Sequence, residues 1–125
     1  MKLVVTLSLA VLFFGCQAQP THTEDGVKIV NEKLDKASFS KKIAEQGIQF
    51  VDVRTAGEFN TGYINGAVNI DFLSPDFQTK ILSFDKSKPI AIYCQSGARS
   101  GKASRVMVEL GFVEVYDLIG GYSNW

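Results

Sequence analysis

Apolar residues in this chain fall into short runs, and the polar stretches between them carry helical spacing. Residues 48–53 (IQFVDV) and 90–93 (IAIY) are nearly continuous apolar runs, the pattern of strands buried on both faces of a parallel sheet. Residues 27–30, 67–70 and 113–116 predict three further strands, the first of them at an edge. Asp35 can cap a helix over 36–46 in which Phe39 and Ile43 form the buried stripe and which Gly47 stops. Thr55 starts a short helical turn through Phe59. Ser74 as cap and Pro75 as first residue open another helix, with Phe77, Ile81 and Leu82 facing inward. Residues 101–110 read as a helix burying Ala103, Val106, Met107 and Leu110, and Gly111 ends it. Residues 118–125 wrap the end. Strands alternating with helices predict an α/β fold: an open, mostly parallel five-stranded sheet with helices on both faces, over residues 27–125.

The amino end follows a different pattern. Lys2 precedes an almost unbroken apolar run, Leu3 to Phe14, too short for a bilayer span of about 20 residues. The run ends in Phe13-Phe14-Gly15-Cys16, which resembles a bacterial lipoprotein signal. That resemblance implies a signal peptide over 1–15, lipidation of Cys16, and an extracytoplasmic protein anchored to a membrane by lipid. Ordinary secretory cleavage after Ala18, giving a soluble periplasmic or secreted protein, and an uncleaved anchor are the competing readings. Residues 16–26 are polar, contain Pro20, and read as a flexible tether.

Composition narrows the classes of function. The chain of 125 residues has room for one domain with a real core. Its 13 Lys and Arg balance 13 Asp and Glu, so nothing points to nucleic acid. Two cysteines make no disulfide framework, and the one histidine, His22, lies outside the domain. A papain-like protease therefore lacks its base, and a histidine–cysteine metal site lacks its histidine. No metal and no cofactor is called for.

The chemistry concentrates in PIAIYCQSGARS, residues 89–100. A buried strand stops at Cys94. Gln95, Ser96, Gly97 and Ala98 follow, all small or neutral, and then Arg99 and Ser100 lead into a helix. A strand, tight loop and helix start make a cradle of backbone N–H groups at the positive end of a helix dipole, which favours an anion. Such a cradle lowers the pKa of a thiol placed inside it, and the thiolate is the nucleophile. Gly97 supplies the positive φ that turns the amides inward. Arg99 can dock an anionic donor or hold the loop through backbone carbonyls. Cys94 as plain buried filler leaves the small residues and the arginine unexplained.

These residues resemble those of a single-domain rhodanese, a member of the sulfurtransferase family. Cys94 to Ser100 is similar to the family's Cys-x-x-Gly-x-Arg-Ser loop. Asp52, Arg54, Glu58 and Phe59 resemble its Asp-x-Arg…Glu-Phe turn. Residues 62–70 (GYINGAVNI) are similar to its Gly-His-Ile-x-Gly-Ala-x-Asn-Ile signature, with Tyr63 in place of histidine. Residues 120–125 (GGYSNW) resemble its closing Gly-Gly-x-x-x-Trp. The resemblance implies that Cys94 takes sulfur from a small-molecule donor such as thiosulfate, holds it as a persulfide, and passes it to a thiol or cyanide. It makes Cys94 and Arg99 catalytic, with Gln95, Ser96, Gly97, Ala98 and Ser100 binding substrate. Outside the cytoplasm a redox or sulfur-accepting partner protein would restore the thiol.

Two rivals stand beside that reading. A cysteine phosphatase uses Cys-x-x-x-x-x-Arg, with five intervening residues where this chain has four. A sulfur carrier or binding module of the same fold would keep the loop without turnover. Asp52, Arg54 and Glu58 read as structural, and the spacing of Arg54 and Glu58 permits an ion pair. Tyr122 and Trp125 read as packing, and Lys102 and Arg105 as a solvated helix face.

Overall fold

The computed structural model describes residues 26–125. Cys16, the apolar run before it and all of the tether but Gly26 lie outside the described residues. Five strands run in chain order as β1 (Val30–Leu34), β2 (Gln49–Asp52), β3 (Val68–Asn69), β4 (Ile90–Tyr93) and β5 (Glu114–Leu118). Their order across the sheet is β1-β5-β4-β2-β3, and every pairing is parallel, so the expectation of a mostly parallel sheet tightens to a fully parallel one. The helices are α1 (Lys36–Ile43), α2 (Ala56–Asn60), α3 (Phe77–Ile81) and α4 (Ala98–Glu109), and a 3-10 turn spans Tyr122–Asn124.

The alternation of side chains along the central strands splits the core in two. Ile90 and Ile92 of β4 join Val51, Val115, Phe77, Ile81, Ala103 and Met107 beneath α3 and α4. Ala91 and Tyr93 join Phe39 of α1, Phe50, Ile64 and Leu118 on the opposite face. Both faces of β4 are fully buried, which is why its sequence shows no polar position. The carboxyl end of this central strand delivers Cys94, with no exposed surface, to the base of α4.

Five expectations need correction. The first strand is 30–34, not 27–30, because pairing decides it: Val30 to Leu34 run in register with Glu114 to Leu118, while Val27 and Ile29 stay exposed. The last strand shifts with it, reaching Leu118. The third helix starts after Asp76, because Pro75 lies inside a turn closed by the Phe77 N–H donating to the Ser74 carbonyl at 3.1 Å. Leu82 follows that helix's last residue and is exposed. Finally, α4 begins at Ala98 and not at Gly101, so Arg99 and Ser100 belong to its first turn.

Candidate active site

Cys94 sits where β4 gives way to α4, the first of the four residues, Cys94 to Gly97, that separate the two elements. Gly97 caps α4 with φ +101°, a left-handed conformation that a side chain would strain. This turn brings the Gly97 N–H to 3.0 Å from Cys94 Sγ, donating to it. Burial pushes the thiol pKa up. The Ser100 hydroxyl and the amides of Ser100, Gly97 and Ser96 push it down, and the donors win, leaving the thiol below its ordinary value of 9.0. Gly97 has no side chain to cap α4, so the free amides of the first turn serve the sulfur instead.

The structure brings Cys94, Ser96, Gly97 and Ser100 together around one sulfur. Ala98 contributes the first residue of α4 and is exposed. Gln95 is bound elsewhere: its Oε1 accepts from Arg54 Nη1 at 3.0 Å, and its Nε2 donates to Ser123 Oγ at 2.9 Å. Its side chain is thus a strut between Arg54 and Ser123. Arg99 is held by a carboxylate and not by backbone carbonyls. Its two terminal nitrogens donate to the two carboxylate oxygens of Glu58, each at 2.7 Å. Arg99 and a Thr55 capping box together hold the Glu58 carboxyl down at about 2.

Arg54 likewise refuses its expected partner. It is 1% exposed and forms a fork with Asp52, Nε to Oδ2 at 2.9 Å and Nη2 to Oδ2 at 2.7 Å. Nη2 also donates to the Gly62 carbonyl at 2.7 Å, and Tyr122 and Tyr93 flank the guanidinium. The spacing of Arg54 and Glu58 on one turn counts for less than burial, because a guanidinium out of water needs the carboxylate that is also out of water. Arg54 links β2, the loop after α2 and the reactive loop.

Two supports escaped the sequence reading. The Tyr122 N–H donates to the Cys94 carbonyl at 2.8 Å and the Ser123 N–H to the Gln95 carbonyl at 3.0 Å, so the end of the chain splints the reactive loop. Gly121 allows this approach, since a Cβ there would lie 2.4 Å from the Cys94 carbonyl oxygen. The second is Asp117, a buried carboxylate near the end of β5; an acid set between the apolar residues Val115, Tyr116, Leu118 and Ile119 was its only signal. A groove lined by Phe72, Pro75, Phe77 and Val106 among others includes no residue of this loop. Among the described residues no cluster of three His, Cys, Asp or Glu is placed to hold a metal ion.

A family model for the rhodanese-like domain matches residues 35–125, which include every element of this site. The chain belongs to that family. The rhodanese-like domain is 39% identical over 89 residues to thiosulfate sulfurtransferase 16 of Arabidopsis thaliana, covering 63% of this chain and 74% of that one. It is 35% identical over 80 residues to thiosulfate sulfurtransferase GlpE of Shewanella oneidensis, covering 64% and 77%. It is also 27% identical over 124 residues to a tRNA uridine(34) hydroxylase of Acinetobacter baumannii, covering 96% of this chain and 38% of that one. Among solved structures, a rhodanese-like domain protein of Staphylococcus aureus superposes with a TM-score of 0.66 at 27% identity, covering 76% of this chain and 91% of that one. Rhodanese-like domains therefore occur in relatives named for different activities.

Proposed function

We propose that this rhodanese-like domain is a sulfurtransferase that carries sulfane sulfur on Cys94. The thiolate attacks the outer sulfur of a donor such as thiosulfate; the new S–S bond forms as the donor's own S–S bond breaks, and sulfite leaves with that electron pair. A thiol or cyanide then attacks the outer sulfur of the Cys94 persulfide, and the thiolate is the leaving group. The observation that carries this reading is the cradle, in which a buried sulfur meets the Gly97 amide at 3.0 Å at the N-terminus of a twelve-residue helix. Those donors stabilise an anionic thiolate and an anionic persulfide alike. The relatives named as thiosulfate sulfurtransferases support the donor class.

Mass spectrometry after incubation with thiosulfate tests the proposal. The expected product is one sulfur atom heavier, with the addition on Cys94 and removable by cyanide. Cys94→Ser should take up none and still fold. An unmodified wild-type protein, or equal sulfur transfer by Cys94→Ser, overturns the reading.

The domain works outside the cytoplasm, held to a bacterial membrane by lipid on Cys16. The apolar run before Cys16 and the polar tether after it support this. Several acyl chains together anchor a protein stably where one holds it marginally. Cys16→Ser should move the protein from the membrane fraction to the soluble one or leave an unprocessed precursor; a soluble wild-type protein starting at Gln19 overturns the anchor.

A further inference from the structure

One buried acid is left unused by the sulfur chemistry so far described. Asp117 is 1% exposed, and its Oδ1 has no hydrogen-bond partner. It faces the first turn of α4: its Oδ2 lies 3.9 Å from where a Cβ on Gly101 would stand. Ser100, the residue before Gly101, is fully buried, and its hydroxyl is among the groups that lower the pKa both of Cys94 and of Asp117. Cys94, Ser100 and Asp117 thus form a buried polar row, with Ile92, Val115 and Ala103 among the apolar residues of the same face.

The Ser100 hydroxyl has one proton to give. Its bond to the Gly97 carbonyl is long at 3.3 Å, so the hydroxyl is not held there. A neutral Asp117 carboxyl donates to Ser100 Oγ and leaves the hydroxyl proton for the sulfur. An ionised Asp117 accepts that proton instead and adds a negative charge behind the cradle. Both effects of ionisation disfavour a sulfur anion.

We propose that Asp117 is a positioning residue for the sulfur chemistry, its carboxyl deciding through the Ser100 hydroxyl how strongly the Cys94 sulfur is held as an anion. The proposal rests on Cys94 being the nucleophile and not on which donor supplies the sulfur. By reciprocity, an anion on Cys94 draws a proton onto Asp117. Burial holds the Asp117 carboxyl up at about 6, so it changes state in the range where the thiol works. The groups that bear on it are Ser100 from α4 and Lys33 from β1, its register partner, whose positive charge favours the ionised form.

The test reads the thiolate without requiring sulfur transfer. The rate of Cys94 alkylation by iodoacetamide, followed against pH, should show two ionisations in the wild-type protein, one near 6. Asp117→Asn keeps a donor toward Ser100 and removes the charge. It should give a single ionisation at lower pH and alkylation about threefold to tenfold faster at pH 7, the effect of half to one unit in thiol pKa. In a Ser100→Ala background the same substitution should lose most of that gain. A purely structural Asp117 would change melting temperature and leave the profile unmoved. A second measurement needs no Asp117 variant: the carboxyl carbon of Asp117, assigned through the backbone, should titrate at lower pH in Cys94→Ser than in the wild type. Superimposable alkylation profiles, or an Asp117 midpoint indifferent to Cys94, overturn the proposal. A protein that shows both shifts but takes up no sulfur overturns the sulfurtransferase reading alone.

Discussion

Arg99 and Glu58 meet fork to fork, Nη1 on Oε2 and Nη2 on Oε1, both at 2.7 Å. The pair ties the first turn of α4 to the capping box of α2, two elements that share no strand ladder. Planar two-bond geometry is what arginine offers and lysine does not. An arginine so engaged holds the first turn of α4 against α2.

Removing the clamp should therefore depress every sulfur-transfer activity together. With the side chains 24% and 32% exposed, the pair contributes about 1 kcal/mol, and Arg99→Ala should lower the melting temperature by about 4–8 °C. Glu58→Gln should resemble it. A variant that loses affinity for thiosulfate but not for a neutral donor would return Arg99 to donor binding. Because Glu58 titrates near 2 in the fold and near 4.5 when unfolded, the contribution is complete above about 4.5 and is lost as pH falls toward 2.

Gly121→Ala should be far more damaging than Gly120→Ala. At Gly121 a Cβ meets the Cys94 carbonyl oxygen at 2.4 Å and the Gln95 carbonyl carbon at 2.7 Å, backbone that has no rotamer to change. At Gly120 the nearest atom is the Asn124 Cβ at 3.0 Å, a tight contact that a shift of a few tenths of an ångström relieves. Both positions have positive φ, costing about 1–2 kcal/mol for an L side chain. The clash adds about 1–3 kcal/mol at Gly121 alone. Melting curves and Cys94 alkylation rates should separate the two variants, with Gly121→Ala losing in both.

Asp52→Ala leaves Arg54 charged and buried, at a cost of about 3–5 kcal/mol. Arg54 also holds the Gln95 side chain, so the loss should reach the reactive loop. Urea unfolding gives the first number and activity in the absence of urea the second. Arg54→Met together with Asp52→Leu should recover much of the stability and little of the activity.

Asp117 makes stability depend on pH with a definite sign. Its folded pKa of about 6 lies above the ordinary 3.8, so its contribution is complete below about 4 and is lost as pH rises through 6. The neutral Asp117→Asn should be insensitive to this. The stability of the variant relative to wild type should rise between pH 4 and 7 by roughly 2–3 kcal/mol. A difference that stays flat across that range would show an Asp117 already paired.

The sequence made the sheet legible because burial on both faces leaves an unbroken apolar run, as in β2 and β4. It left β1 illegible for the opposite reason: VNEKL is an edge strand, its three middle residues exposed, so pairing with β5 shapes it and no apolar period does. The start of α4 was missed because its cap is Gly97, which acts through φ and leaves no side-chain signature. The cradle was legible, since strand end, glycine and helix are local. Its braces were not. Glu58 is 41 residues from Arg99, and so is Arg54 from Gln95; such pairs are made by the fold and have no local spacing.

The splint from Tyr122 and Ser123 orders events during translation. A ribosome releases the chain amino end first, so residues 121–123 emerge after every strand and helix of the sheet. Until then the carbonyls of Cys94 and Gln95 lack the amides that fix them in the finished protein. The cysteine thus leaves the ribosome before its loop is set, and the loop's final form waits for the 3-10 turn of residues 122–124. A nascent chain halted just short of Gly121 would carry the thiol and both arginines, yet not the loop that makes them a site.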